Sequence, residues 1–448
     1  MTGRPIPTQE LAEWVRAGRL PEFLAVAADL EPADLADVLR ELDDAERVTV
    51  VRMLPPEISG KALAELPEEE HAEDTLAALD SEHAADIVEQ LEDDDAADLL
   101  GDLEPDARAR ILAAVEDRED REGVERLLRY DEESAGGLMT GQVVAVHDSA
   151  TVGQALDEIR DQAEEVDQFA QVFVIDDQHH LVGVLSFRAI VVSPVSRPVR
   201  EVMEPADLMV TPETDQEEVA RLMARYNVPS IPVVEHDGRL LGRITFDDVS
   251  DVVEAETTED ILRFGGVSAD EDLGAGWGDA VRSRLPWLLV NLVTAFLAAS
   301  VVLFFQSAVS RLVVLAAWMP VIAGMGGNAG TQALAVTVRR LAIGQLPAHE
   351  FTRVVTKEML VGSVNGLAIG VVVWGVALLT QQPPLLGLVV FLAMTGNLVV
   401  AGFAGAFIPI LLERFDVDPA IASSVFVTTL TDICGFALLL GLAGVLLL

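Results

Sequence analysis

Arg282-Ser283-Arg284-Leu285-Pro286-Trp287-Leu288-Leu289-Val290-Asn291-Leu292-Val293-Thr294-Ala295-Phe296-Leu297-Ala298-Ala299-Ser300-Val301-Val302-Leu303 is the stretch at which the chain changes character. Two arginines lead into an uncharged apolar run of about 20 residues, the length a helix needs to cross the hydrocarbon core of a bilayer. From Pro286 onward the cations Arg311, Arg339, Arg340, Arg353, Lys357 and Arg414 are matched by the anions Glu350, Glu358, Glu413, Asp416, Asp418 and Asp432. The whole chain has 448 residues and a net charge of −44, yet half of it is hydrophobic. The negative excess therefore lies upstream of Pro286, where no apolar run is long enough to span a membrane. An acidic soluble half is joined to a membrane half.

Downstream, five apolar segments follow at about 286–306, 312–338, 359–380, 385–412 and 419–448, each read as a spanning helix. Arg282, Arg284, Arg339, Arg340, Arg353, Lys357 and Arg414 then fall on one side and Arg311 alone on the other. The positive-inside rule puts the amino end in the cytoplasm and the carboxyl end outside. The start of the chain has no basic stretch followed by an apolar core, so no secretory signal is expected and the membrane is expected to be the inner (plasma) membrane. Cys434 is the single cysteine, which excludes a disulfide framework or a cysteine metal cluster within one chain.

Asp432 is the one carboxylate deep inside a predicted span, where an acid costs about 2.5 to 3.5 kcal/mol and ordinarily faces a polar path. Helical spacing places Ser424, Thr428, Thr431, Asp432 and Gly435 near one face. The second span contains Pro320 and Gly324-Met325-Gly326-Gly327-Asn328-Ala329-Gly330-Thr331-Gln332. That composition predicts a weakened or opened helix whose carbonyls, with Asn328, Thr331 and Gln332, offer neutral oxygens to the path. Close packing through small residues is the competing reading.

Upstream of the first span, residues 247–264 are predicted to form a helix bearing Asp247, Asp248, Asp251, Glu254, Glu256, Glu259 and Asp260, followed by a glycine-rich joint. From about 131 to 256 a mixed strand and helix pattern occurs twice. Met139 opens one copy and Met203 the next, and Gly183-Val184-Leu185-Ser186-Phe187 in the first answers Gly242-Arg243-Ile244-Thr245-Phe246 in the second. The pair resembles tandem CBS domains, which bind a ligand rather than catalyse. Residues 20–128 repeat a third phrase, an acidic or proline-containing start and then leucines at helical spacing, as in Leu30-Glu31-Pro32-Ala33-Asp34-Leu35 and Leu91-Glu92-Asp93-Asp94-Asp95-Ala96. Short helices stacked into a superhelix, each burying its leucines against its neighbours, are expected.

The expected fold is therefore a multidomain membrane protein: an α-helical superhelical N-domain (1–130), an α/β tandem CBS pair (131–256, copies at about 138–200 and 201–256), a connecting or plug helix with its joint (247–281) and a five-helix all-α transmembrane domain (282–448). The acidity excludes nucleic acid as a partner, because phosphate binding needs clustered Lys and Arg. Cations are the natural counterpart. Mg²⁺ sheds its water reluctantly, so a path with one carboxylate and several neutral oxygens suits the hydrated ion, and clustered acids repel until a divalent cation bridges them. No histidine pair has metal-ligand spacing, no phosphate loop is present, and no catalytic constellation is found.

Ala135-Gly136-Gly137-Leu138-Met139-Thr140, Asp215-Gln216-Glu217-Glu218-Val219-Ala220, the run from Pro320 to Gln332, Asp418-Pro419 and Thr429-Leu430-Thr431-Asp432 together give the chain a resemblance to the MgtE family of Mg²⁺ channels over nearly its whole length. The resemblance implies a homodimer in the lipid bilayer that imports Mg²⁺ through a central pore, with Asp432 of both subunits, Asn328, Thr428 and Thr431 at the pore metal. It also implies regulatory Mg²⁺ sites at Asp94, Asp98, Gly136, Glu217, Asp248, Asp251, Glu256, Glu259, Asp260 and Asp418. Abundant cytoplasmic Mg²⁺ would join these surfaces and hold the connecting helix as a plug. Asn227 departs from the pattern where the family can carry an acid. A CBS pair also takes adenine nucleotides, and Arg188, Thr245 and Asp248 are the candidate ATP contacts, the first copy having Ala189 where the second has Asp248. Two alternatives stand beside the channel: a proton- or sodium-coupled divalent-cation transporter, and a nucleotide-sensing membrane regulator without transport.

Overall fold

The structure is a computed structural model and describes residues 6–67, 70–163, 166, 169–268, 276–342, 350–415, 417 and 419–448. The expected site residue Asp418 and most of the glycine-rich joint lie outside the described residues. Two compact units are present, Met1–Ala255 and Glu256–Leu448.

The first unit begins with short helices from α1 (Thr8–Arg16) to α10 (Arg118–Leu127), ten among the described residues. Their starts explain their shortness. Pro32, Pro56 and Pro105 occupy first helical positions, where the missing N–H costs nothing. Asp43 caps the helix Asp44–Met53 in a reciprocal box: its Oδ1 accepts from the Glu46 amide at 2.8 Å while Glu46 Oε2 accepts from the Asp43 amide at 3.2 Å. Apolar residues of successive helices, Leu35, Leu39, Leu63, Leu76, Ile87 and Leu100 among them, close one buried core.

The two repeats that follow do form matching α/β halves. The first sheet runs in the order β1 (Ala145–His147), β2 (Gln171–Ile175), β3 (Leu181–Ser186), β4 (Glu204–Pro205), with β1 parallel to β2 and the others antiparallel. The second is built on β5 (Ser230–Val234) and β6 (Leu240–Thr245), with Val210 bridging in parallel to Val233 and Thr140 antiparallel to Arg243. Each half therefore takes an edge from the segment that opens the other. Met203 lies so close to Gly183 that a Cβ there would meet its Sδ at 2.8 Å; Met139 lies against Gly242 in the same way, at 3.2 Å. Each methionine, at the opening of its own copy, thus packs on the opposite one, and a side chain in place of either glycine would push the exchanged edge away. The core of the second copy, through Val210, Val219, Ile231 and Val249, is continuous with that of the helical domain, whereas the first copy has a core of its own.

The predicted connecting helix is α14 (Phe246–Gly265). In the second unit come α15 (Trp277–Phe304), α16 (Gln306–Arg311), α17 (Leu315–Ala342), α18 (Phe351–Leu379), α19 (Pro384–Glu413) and α20 (Pro419–Leu446). Among the described residues four, α15, α18, α19 and the Ser424–Leu446 part of α20, are long and apolar enough to cross a membrane. Five spans were expected; α17 is less apolar than these four, since its glycines, Asn328, Gln332, Arg339 and Arg340 dilute it. α19 packs against α17, α18 and α20 and holds the core of this unit. Contact with α18 runs along Gly362, Gly366 and Gly370, one small residue per turn; at Gly366 a Cβ would stand 2.9 Å from the Thr395 Cα. Thr395 Oγ1 donates across this seam to the Gly366 carbonyl at 3.1 Å.

Candidate ion path and acidic regulatory face

The glycine run does not open α17. The helix is continuous from Leu315 to Ala342, so the expectation of bared carbonyls is corrected. The small residues are spent on approach instead: a Cβ on Gly326 would press on the Asn397 amide and lie 3.3 Å from Thr431 Cβ, and one on Gly330 would press on Val427. Asn397, fully buried on α19, donates from Nδ2 to the Ile322 carbonyl at 3.0 Å, tying α19 to α17. Its Oδ1 has no hydrogen-bond partner among the described residues.

On α20 the polar stripe is split. Thr431 is fully buried against Gly326, and its hydroxyl donates to the Thr428 carbonyl at 2.9 Å, so it packs α17 to α20 rather than offering an oxygen. Thr428 and Asp432 are half-buried one turn apart, while Asn328 on α17 is exposed. Thr428 lies against Gly327, the neighbour of Asn328. A carboxylate, an amide and small residues thus edge a seam between α17 and α20, apolar on its inner side.

The second site is in the first unit. α8 (Asp93–Gly101) opens with three consecutive aspartates, a natural composition for a helix start, where the free amides and the dipole favour anions. The first turn of α14 carries Asp247 and Asp248. The fold turns the two helix starts toward each other. Asp94 is only 7% exposed, and its Oδ1 has no hydrogen-bond partner among the described residues. Burial first, then Asp248, Asp95 and Glu92, hold its carboxyl well above the usual range. Burial with Glu92, Asp248, Glu65 and Asp247 pushes Asp95 up to about 7, and burial with Glu132, Asp95 and Asp248 pushes Asp98 up to about 8. Asp98 presents an exposed surface, and water reaching it moderates the push.

Asp248 is raised by burial against the opposing pull of Thr245, whose amide and hydroxyl both donate to its Oδ2, at 2.8 and 2.7 Å. Asp251 is raised by burial, Glu65, Asp247 and Glu254. The charged neighbours that shift these five carboxyls most are acids, and the buried Arg243 lies 3.9 Å from Glu92 at the edge of the group. Among the described residues no three His, Cys, Asp or Glu side chains converge closely enough to hold a bare metal ion. The donor set fits a hydrated divalent cation, which needs negative charge and hydrogen-bond acceptors at the distance of its waters rather than a tight oxygen cage.

Of the remaining expected sites, Gly136 and Glu217 come together: the Gly136 amide donates to the Pro212 carbonyl at 2.9 Å, Gln216 donates to the Glu133 carbonyl at 3.0 Å, and Glu217 sits in the first turn of α13 (Gln216–Tyr226) over its Asp215 cap. Asn227 ends that helix at a φ of 53°, the left-handed position that Asn tolerates better than most residues, which gives the departure at this position a backbone reason. Glu256, Glu259 and Asp260 belong to the second unit, Glu259 paired with Arg263. Arg188 lies exposed on α12 (Phe187–Val192), beside a Phe169–Phe187 ring pair 5.3 Å apart. Asp95, Asp247, Glu65 and Glu132 are members of the acidic face that the sequence reading missed. The Asp93-Asp94-Asp95 and Asp247-Asp248 runs were a signal, but only the tertiary fold sets one against the other.

A helical domain and a CBS pair that share an acidic face, attached to apolar helices with a polar seam, define a membrane transporter with a ligand-binding regulatory module. Three family patterns match the chain in that order: the MgtE intracellular N domain at residues 30–133, the CBS domain at 135–194 and 199–255, and the divalent cation transporter MgtE at 319–442. The chain is 38% identical to the magnesium transporter MgtE of Thermus thermophilus, over 74% of each chain, and 34% identical to that of Bacillus subtilis, over 74% of this chain and 73% of the relative. Its structure is similar to the cytosolic domain of the Mg²⁺ channel MgtE in complex with ATP, with a TM-score of 0.52 and 36% identity over 55% of this chain and all of that one. It is similar also to the soluble part of a magnesium transporter, with a TM-score of 0.51 and 28% identity over 56% and 97% of the two chains. The chain belongs to the MgtE family of divalent cation transporters and is a multi-pass membrane protein.

Proposed function

We propose that this protein conducts Mg²⁺ inward across the plasma membrane and closes when Mg²⁺ in the cytoplasm bridges its acidic surfaces. The observation that carries the reading is the α8 face against the start of α14: five carboxyls shifted upward, chiefly by burial and by neighbouring acids. Such a face is held together by protons or by a divalent cation, and near neutral pH the cation is the regulated quantity. The names of the relatives, magnesium transporter and Mg²⁺ channel, supply the ion.

In this reading Asp432, with Thr428 and Asn328, holds hydrated Mg²⁺ at the α17–α20 seam, and Thr431 sets how closely the two helices lie. α17 is the fifth span, its polar residues facing the path, and the amino end lies in the cytoplasm. The half-open seam of one chain is completed by a second copy in a homodimer. Gly136 with Glu217, and Glu256, Glu259, Asp260 and Asp418, are further regulatory positions. ATP at Arg188, Thr245 and the Phe169–Phe187 rings is supported by the nucleotide-bound relative, and because Thr245 already holds Asp248, nucleotide and metal would act on the same carboxylate. Single-channel recording in planar bilayers tests conduction against coupled transport. Resolvable Mg²⁺ currents are expected, and turnover that requires a proton or sodium gradient would overturn the channel reading.

A further inference from the structure

Away from the seam, the start of α18 and the end of α19 enclose a groove of about 280 Å³ lined by Phe351, Thr352, Val355, Phe407, Leu411 and Arg414, with Ile410 and Thr356 completing it. Its walls are mostly apolar, and Ile410 also belongs to a small buried core with Val354 and Ala406. Arg414 is the one charged residue among those lining the groove. The other two cations of this region have partners of their own: Arg353 lies 3.9 Å from Glu350, and Lys357 lies 3.0 Å from Glu358. Arg414 is exposed, and its side chain has no ion pair or hydrogen bond among the described residues, the backbone amide donating to the Ile410 carbonyl at 3.3 Å. An unpaired guanidinium at the mouth of an apolar groove, at the end of two membrane helices, matches a ligand with one anionic head and a hydrocarbon tail.

We propose that this groove binds an anionic glycerophospholipid of the cytoplasmic leaflet, the phosphate on Arg414 and an acyl chain against Phe351, Val355, Phe407 and Leu411. Charge complementarity selects the occupant: a zwitterionic lipid would bring a cation of its own to a groove whose one charged lining residue is an arginine. The proposal rests on reading α18 and α19 as spans with this rim in the cytoplasm. It fails separately from the transport reading, because lipid retention and Mg²⁺ flux are measured independently.

The test is native mass spectrometry of the full-length protein purified in mild detergent and supplied with equal amounts of phosphatidylglycerol and phosphatidylcholine. Wild type is expected to retain phosphatidylglycerol preferentially, Arg414→Gln to lose about fivefold of that preference, and Arg414→Lys to keep most of it. Excess inorganic phosphate should displace little of the lipid, since the groove holds the tail as well as the head. Leu411→Trp, which fills the groove and leaves the arginine in place, should lower retention too. Equal retention of the two lipids by wild type would overturn the proposal. So would a loss no larger for Arg414→Gln than for Arg353→Gln, displacement by phosphate alone, or subunit cross-linking from Thr356→Cys in a Cys434→Ala background, which would place a second copy of the chain over the groove.

Discussion

Asp94 and Asp248 illustrate what a single residue contributes here. Asp94 is buried with an unpartnered oxygen and Asp248 is its largest charged neighbour, so ionising both in a metal-free protein is costly. Asp94→Asn should therefore raise the thermal midpoint of the full-length protein in chelator and shrink the further stabilisation by Mg²⁺. A variant that melts lower than wild type in chelator yet gains as much from Mg²⁺ would show that Asp94 is not part of the bridged face. Asp432 makes the complementary case: Asp432→Asn should cut Mg²⁺ flux into proteoliposomes by at least about tenfold, with retention on size exclusion unchanged, as expected of a carboxylate that faces a path. Asp432 stands out in the sequence as a candidate because an acid deep in an apolar span is conspicuous by itself. Asp95, Asp247 and Glu132 were not, because one more acid in a chain so rich in them carries no mark until the fold sets it against another helix.

At the scale of elements, the meeting of α8 with the start of α14 predicts a pH dependence. Carboxyls that are raised in the folded state keep protons that the unfolded chain has already lost, so stability is greatest at low pH and falls as pH rises between about 4 and 8. At about 1.4 kcal/mol per unit, the rise of Asp95 from 3.8 to about 7 amounts to roughly 4 kcal/mol across that window before solvent screening. In chelator the melting midpoint should drop from pH 5.5 to pH 8, and Mg²⁺ should restore it mainly at the higher pH. A midpoint that rises over this range would contradict the assignment. On the membrane side, Gly326→Ala should part α17 from α20, because the new Cβ has only Asn397 and Thr431 to enter. Overpacking of about 1 to 3 kcal/mol is expected, read as a lower melting midpoint together with lost flux; normal melting with normal flux would remove the packing account of the glycines.

Sequence was most legible where one physical signal acts over a whole element. Apolar length marks α15, α18, α19 and α20, leucine spacing and acidic starts the short helices of the N-domain, and the doubled glycine-led strands the CBS pair. It was least legible where composition permits two outcomes. Pro320 and the glycines of α17 suit an opened helix as well as a closely packed one, and contact with Asn397, Val427 and Thr431, all remote in sequence, decides for packing. The exchange of edges between the CBS halves was likewise hidden, because Gly183 and Gly242 look like ordinary strand glycines until Met203 and Met139 are found against them.

For the molecule as a whole, an acidic domain and a permeation path in one chain have meaning only if the first governs the second. In chelator the acids of the first unit should repel, and in excess Mg²⁺ they should close. Protease cleavage between residues 265 and 278 should accordingly be fast without metal and slow at millimolar Mg²⁺, and equal rates would argue against any metal-dependent closure. The most direct measurement is Mg²⁺ entry into proteoliposomes holding the full-length protein, with the solution bathing its soluble half stepped from chelator to millimolar Mg²⁺. A steep fall in entry, weakened in Asp248→Asn, is the predicted result. Entry that stays the same on both sides of the step would contradict the account.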